Sequence, residues 1–355
     1  MSTKKNGQKN VLIIGATGFG GLGLIELILR HPHLTIKQLV ARKDAGTPIS
    51  DIFPHLKGFC DLIVHAPEET EYDDIDIAFF STPDRAGMTL IKKFYEKKIP
   101  VIDFSGDFRF NSIEDYEIYA TNKSIDIEHK SADVLPKAVY GLPEKYASQI
   151  QDAIIVGNPG CFAIAMILGL LPAIEEGIIT SPTIICDGKT GVSGAGKNSG
   201  EANLYPQRHE NINSYREARH QHLVEVENIL NKEGAEEHSI LFIPHVIPIN
   251  RGILVTLYAD IKTGYLTPQL HDLYMEYYSK KPFVFVTDQS PNTADVRGSN
   301  RCEIRPLFDK RTGKMVIVSV IDNLLKGQSG NAIQNANIML GYDETIGIDN
   351  PAFYP

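Results

Sequence analysis

Three things are scarce in this sequence: paired cysteines, long apolar runs and excess positive charge. The four cysteines, Cys60, Cys161, Cys186 and Cys302, are far apart and form no C-x-x-C pair. That spacing argues against a disulfide framework and a cysteine-rich zinc site, and it fits a reducing, cytoplasmic setting. No apolar run approaches the roughly 18 residues of a membrane span, so no membrane partner is expected. The first ten residues, MSTKKNGQKN, are polar and lead straight into a strand pattern, with no secretory signal. The formal net charge of −9 argues against general nucleic-acid binding, which needs a basic face, but leaves room for a local anion pocket. What is present is ordinary for a globular protein, with 43% hydrophobic and 22% charged residues. At 355 residues the chain exceeds what one core usually serves, so two domains are expected.

Strand and helix signals alternate in the first part. Apolar runs at 9–15, 34–41, 76–81 and 99–104 read as strands, with helical stretches at 22–30 and 86–97. That alternation is the pattern of a parallel α/β sheet. Further on, strand runs at 183–186, 240–244, 253–261 and 314–321 predominate. The expected fold is therefore α/β: a Rossmann-type parallel domain, 1–160, then an α+β domain with a mostly antiparallel sheet, 161–325. A last helix, within 326–355, returns to the first domain.

The most informative stretch is AIIVGNPGCFAIAMILGLL, beginning at Ala153. Residues 154–156 read as a buried strand, 157–160 as a turn and 162–176 as a helix. Cys161 therefore falls at a helix N-terminus, where unpaired N–H groups and the dipole favour a thiolate, the nucleophilic form. Taken alone, Cys161 reads equally as an inert core thiol.

Two glycine loops follow different rules. In GATGFGGLG, Gly15, Gly18 and Gly21 stand between a strand and a helix, the context that lets a pyrophosphate reach a helix N-terminus. After the second strand comes Ala41-Arg42-Lys43, basic where an acidic residue would select a ribose 2′-hydroxyl. Arg42 thus favours NADP(H). In GKTGVSGAGKN, residues 191–197 fit G-x-x-x-x-G-K, but Asn198 replaces the Mg²⁺-binding Ser/Thr. This second loop reads as a flexible segment whose amides and Lys197 meet an anionic substrate.

Two further segments carry chemistry. His220-Gln221-His222 offers an acid or base near neutral pH. No carboxylate or cysteine cluster completes a metal site, so no metal is expected; the alternative is a pair of helix-surface histidines. In VIDFSGDFRF, Arg109 suits a carboxylate or phosphate, or pairs with Asp103 and Asp107 beside it.

Together these pieces resemble the N-acyl-γ-glutamyl-phosphate reductases of arginine biosynthesis, within the wider semialdehyde dehydrogenase group. The resemblance covers nearly the whole chain, in order: GATGFGG at 15–21, DFSGDFR at 103–109, VYGLPE at 139–144, GNPGC at 157–161, GVSGAGK at 191–197, HQHLVEVE at 220–227 and DNLLKGQSGNAIQN at 322–335. Two departures stand out, Ile164 where the family usually has Thr and Val224 where it has Pro.

The resemblance implies NADP(H) on Gly15, Ala16, Thr17, Gly18, Phe19, Gly20 and Gly21, with Arg42, Ser81 and Asn323. It implies an acyl phosphate bound by Arg109, Ser193, Gly194, Lys197 and Glu225. Cys161 attacks the acyl phosphate and phosphate leaves. Asn158 and nearby amides stabilise the oxyanion, and His220, or else His222, moves the proton. It further implies a homo-oligomer, a dimer or tetramer. Rival readings are an aspartate-semialdehyde dehydrogenase, a reductase of a carrier-bound aminoadipyl or glutamyl phosphate, and a non-catalytic NADPH-binding regulator.

Overall fold

The structure, a computed structural model, describes residues 7–197 and 200–354. The polar start, 1–6, and Asn198, whose identity argued against a phosphate loop, lie outside the described residues. The chain divides into two compact units. One gathers residues up to 117, 127–159 and 328–349; the other gathers 118–126, 160–327 and the C-terminal end.

The first unit is built on a seven-stranded sheet: β1 (Lys9–Ile14), β2 (Leu34–Val40), β3 (Val64–His65), β4 (Ile77–Phe80), β5 (Val101–Asp103), β6 (Ala138–Tyr140) and β7 (Ile155–Gly157), in the order β3-β2-β1-β4-β5-β7-β6. All its pairings are parallel. Short apolar runs such as IAFF of β4, buried at every position, are what a sheet covered on both faces requires. The order reverses between β1 and β4, which opens the crevice where α/β sheets take ligands. The helix after β1 starts at Phe19, three residues before the position its apolar pattern gives. Gly20 and Gly21 are poor helix formers, yet they sit inside it because neighbouring atoms leave no space for a Cβ. The helix Gly330–Met339 packs against Phe19–Ile28 and Pro143–Gln151 in this unit.

The second unit holds another seven-stranded sheet: β8 (Thr183–Thr190), β9 (Asn213–Ser214), β10 (Ser239–Val246), β11 (Ile253–Asp260), β12 (Val284–Val286), β13 (Cys302–Asp309) and β14 (Lys314–Ile321), in the order β12-β13-β14-β11-β8-β10-β9. β8 with β10 and β12 with β13 are parallel pairs; the rest are antiparallel. The two sheets match the α/β expectation. One face of this second sheet carries the helix Cys161–Glu175, which is buried continuously from Phe162 to Ile174 and accordingly lacks a polar stripe. The other face is open. A row of apolar residues crosses five strands in register: Leu241, Ile185, Tyr258, Val316 and Leu307. Ile185 is 46% exposed, Leu241 42% and Tyr258 38%.

Pro172 interrupts the helix Cys161–Glu175 and has no N–H for the carbonyl of Leu168. Another helix, Thr267–Tyr278, supplies the missing donor. The hydroxyl of Tyr278 donates to Leu168 O, and Tyr274 donates to Gly169 O at 2.7 Å. Removing the Tyr278 hydroxyl strands a buried carbonyl, which typically costs about 1–3 kcal/mol. Tyr278→Phe is therefore expected to lower the unfolding free energy by that amount, with a lower midpoint in urea. An unchanged midpoint in urea titrations would show that Leu168 O finds another donor.

Candidate active site

The strand β7 ends at Gly157, where a Cβ would fall 2.0 Å from the carbonyl oxygen of Phe108. Only glycine allows that approach. Gly160 then caps the next helix and Cys161 is its first residue, with the first-turn N–H groups and dipole favouring negative charge there. None of the four cysteines is in a disulfide, and Cys161 alone is partly exposed; Cys60, Cys186 and Cys302 are buried. Two glycines keep its surroundings tight. A Cβ on Gly327 would lie 2.8 Å from Cys161 Cβ, and one on Gly160 would lie 2.2 Å from Nε2 of His222.

Both histidines are buried, unlike the helix-surface pair the sequence alternative describes. The reason is tertiary. His220 lies among the rings of Phe162, Tyr215, His222 and Phe242, with centroids 4.6–5.8 Å away. The His222 N–H donates to His220 Nδ1 at 3.2 Å, which leaves the ring proton on Nε2. Burial, then the positive charges of Arg216 and Lys123, pulls the His220 pKa down to about 3. His222 starts the helix His222–Glu233, and its ring lies against Gly160, the residue before Cys161. Glu225, 1% exposed, sits on the same helix. Its Oε2 accepts from Gly160 N at 2.9 Å, and its Oε1 stands 3.9 Å from His222 Nε2. Cys161, His220, His222 and Glu225 thus come together in the second unit. The sequence reading gave Glu225 a substrate contact; the structure turns it inward, onto the start of the helix. The two departures from the family pattern are also absorbed by packing, Ile164 and Val224 both being buried.

Ser193 and Asn323 meet each other. Asn323 Nδ2 donates to Ser193 Oγ at 3.0 Å, and its Oδ1 accepts from Gly252 N at 2.8 Å. Asn323, expected to touch cofactor, is buried and ties the 191–197 loop to Gly252. Gly194 and Lys197 of that loop are exposed.

In the first unit, Asn158 is buried and well engaged. Its Oδ1 accepts from Asn331 and Asn335 at 2.9 and 3.3 Å, and its Nδ2 donates to Gln328 O at 3.1 Å. Those bonds fit a positioning group better than the oxyanion donor named from sequence. Arg109 donates to the carbonyl oxygens of Phe104 (2.6 Å) and Asn158 (2.9 Å), so it braces the chain beyond β5 and β7. The neighbouring carboxyls serve elsewhere. Ser105 Oγ donates to Asp103 at 2.6 Å, and Asp107 accepts the N–H groups of Arg85 and Met88 at 2.7 and 3.1 Å. Burial pushes Asp103 well above the usual carboxylate range, and it pushes Asp107 up to about 6.

The first glycine loop lies at the crevice between β1 and β4. Gly15 has φ +87°, and a Cβ there would fall 2.1 Å from Ser81 O. Gly18 caps the helix Phe19–Ile28, and a Cβ on Gly21 would fall 2.5 Å from Gly15 O. Ala16, Thr17, Phe19 and Gly20 complete the turn, and Ser81 lies against it, its Oγ 2.4 Å from where a Gly20 Cβ would be. This cradle has its glycines where a pyrophosphate-binding turn needs them. Arg42 is exposed just beyond β2. Among the described residues, no group of His, Cys, Asp and Glu could hold a metal ion, and no helix is long and apolar enough to cross a membrane.

Sequence reasoning missed two site residues. Tyr215 packs on His220, and the charge of Cys161 is among the influences that raise its phenol pKa, after burial. Asp322, wholly buried, receives the N–H groups of Gly298, Leu324 and Leu325 at 2.7, 2.8 and 3.1 Å. The first signal is one aromatic in a polar stretch, and the second is an Asp at a strand end. Neither shows its partners from sequence.

Two family models match the chain: the semialdehyde dehydrogenase NAD binding domain over residues 10–153, and the semialdehyde dehydrogenase dimerisation domain over residues 161–323. Solved structures share the fold. Aspartate semialdehyde dehydrogenase II of Vibrio cholerae, complexed with ASA, superposes with a TM-score of 0.70 at 18% identity, over 94% of this chain and 98% of that one. The Candida albicans aspartate semialdehyde dehydrogenase with NADP gives 0.67 at 17% identity, over 94% and 98%. The fold and the cradle define a nicotinamide-dependent oxidoreductase of the semialdehyde dehydrogenase class. Within that class the curated relatives are more specific. N-acetyl-gamma-glutamyl-phosphate reductases of Bacillus cereus and Bacillus mycoides are each 40% identical, over 97% of this chain and 99% of theirs. The chain belongs to the N-acetyl-gamma-glutamyl-phosphate reductase family.

The depressed His220 pKa carries a pH consequence. A folded value of about 3 lies below the ordinary 6.5, so the unfolded chain binds more protons between the two. His220 therefore contributes stability that is intact above about 6.5 and is lost progressively toward pH 3. Imidazole nitrogen NMR is expected to find His220 neutral, protonated on Nε2, down to the onset of acid unfolding. A midpoint near 6 in the folded protein would contradict this environment.

Proposed function

We propose that the chain reduces N-acetyl-L-glutamyl 5-phosphate to N-acetyl-L-glutamate 5-semialdehyde and phosphate, with NADPH, in arginine biosynthesis. The carrying observation is Cys161, a partly exposed thiol at a helix N-terminus with His222 and Glu225 gathered at the preceding glycine. The Cys161 thiolate attacks the acyl carbonyl, the C–O bond to phosphate breaks, and a thioester forms. When bound, the nicotinamide cofactor supplies the hydride that reduces this thioester. First-turn amides stabilise oxyanion character, and collapse of the thiohemiacetal frees the aldehyde and the thiolate. We assign the proton transfer to His222. Its ring stands beside Gly160, whereas His220 is held neutral in an aromatic box and its Nδ1 already accepts a hydrogen bond.

The glycine cradle fits a dinucleotide: Gly15 and Gly21 leave no space for side chains, and Gly18 opens the helix end. Arg42, exposed after β2, favours the 2′-phosphate of NADP(H) over NAD(H). The names of the curated relatives favour this substrate over aspartyl phosphate. The four cysteines, none of them in a disulfide, fit the cytoplasm. The apolar row across the open sheet face supports a homo-oligomer. Tyr258→Arg, placing a charge in that row, is expected to shift the sedimentation coefficient toward a monomer. A variant that sediments as wild type would take this face out of any interface.

The reverse reaction tests the chemistry. With NADP⁺, inorganic phosphate and N-acetylglutamate semialdehyde, phosphate-dependent NADPH formation is expected. Cys161→Ser should abolish it while NADPH binding persists. Activity confined to aspartate semialdehyde would reassign the substrate, and preference for NAD⁺ would remove the role of Arg42.

A further inference from the structure

One end of the second sheet collects more than the thiol. Ile253 at the start of β11 is in register with Thr190 at the end of β8 and Ile321 at the end of β14. Cys161 is at the same end, because Phe162 packs on Gly188 of β8, where a Cβ would fall 2.7 Å from its ring. Gly327, a few residues beyond β14, presses on Cys161 itself. Arg251, two residues before β11, belongs to this end too. The Gly191 backbone packs on its segment, a Cβ there falling 2.5 Å from Asn250 O and 2.9 Å from Arg251 N.

The Arg251 guanidinium is held in one pose. Nε and Nη2 both donate to Oδ1 of the buried Asp322, at 3.3 and 3.0 Å. Asp322 is in turn fixed by three backbone N–H groups. A guanidinium has five N–H donors, and the Nε edge spends two of them on Asp322. Nη1 has no partner among the described residues, and the side chain is 26% exposed. A cation fixed by a buried anion, with its end-on edge unspent, suits paired hydrogen bonds to an oxyanion.

We propose that Arg251, positioned by Asp322, grips an anionic group of the substrate beside Cys161. The proposal rests on the reaction proposed above for the identity of that group, which is the carboxylate or the phosphoryl oxygens. It gives the second unit a fixed cation for the substrate in addition to exposed Lys197.

Charge-selective alkylation tests it without any substrate. Iodoacetate carries a carboxylate and iodoacetamide does not. The ratio of their rates at Cys161 is expected to fall about tenfold in Arg251→Gln, the size of one lost charge-assisted contact. Arg251→Lys keeps a cation against Asp322 but loses the planar fork, and is expected to fall between. If the Gln variant does not fold, the Lys variant decides. A wild-type ratio in every folded variant overturns the proposal. Steady-state kinetics of the reverse reaction then name the group. A raised KM for the semialdehyde with an unchanged KM for phosphate identifies the carboxylate, the opposite pattern identifies the phosphoryl group, and no change in either overturns the grip. Charge-selective labelling in an enzyme inert toward N-acetylglutamate semialdehyde would sink the substrate reading alone.

Discussion

The chemistry of the second unit depends on one hydrogen bond, from the N–H of Gly160 to the buried carboxyl group of Glu225. It caps the helix that begins with Cys161, and it does so from another helix, one turn away from His222. A single contact thereby fixes the entry angle of the nucleophile's helix and the place of the neighbouring imidazole. The lack of a side chain at position 160 is the same constraint seen from the other side, since the His222 ring occupies that space. An acidic group at a helix N-terminus is also favoured by the dipole, so the cap and the fold reinforce each other.

Burial, more than charge pairing, sets the ionisation of Asp103 and Asp107 in the first unit and of His220 in the second. Asp107, raised to about 6, binds its proton more readily folded than unfolded; its contribution is present below about 3.8 and is lost as pH rises through 6. His220 has the opposite slope over an overlapping range. The two units therefore carry opposed acid responses, each set by desolvation of a group whose hydrogen bonds are made to the backbone or to a neighbouring hydroxyl.

Local signals were legible in the sequence and long-range ones were not. The run KMVIVSVI reads as a strand and forms β14 over the same residues. The turn at 157–160 places Cys161 at a helix start because glycine and proline leave few other conformations. The start of the first helix was displaced because packing against Ser81 and Gly15 overrides the poor propensity of Gly20 and Gly21. His220 and His222 look like surface groups because nothing near them in sequence reveals Phe242 or Gly160. Tyr278 beneath Leu168, and Asp322 beneath Arg251, are partners more than 70 residues apart, beyond the reach of any local pattern.

The helix Gly330–Met339 gives the first unit an unusual assembly order. Its Asn331 and Asn335 side chains hold Gly141 O and the Asn158 amide. Those contacts cannot form until the whole of segment 160–327 has left the ribosome. Domains generally fold as units and N-terminal first during synthesis, yet here the N-terminal unit waits for the last part of the chain. The intervening unit can complete its own sheet first. During translation the surfaces of Phe19–Ile28 and Pro143–Gln151 that receive this helix stay uncovered for most of the elongation time, and chaperone dependence in this protein should concentrate on that interval.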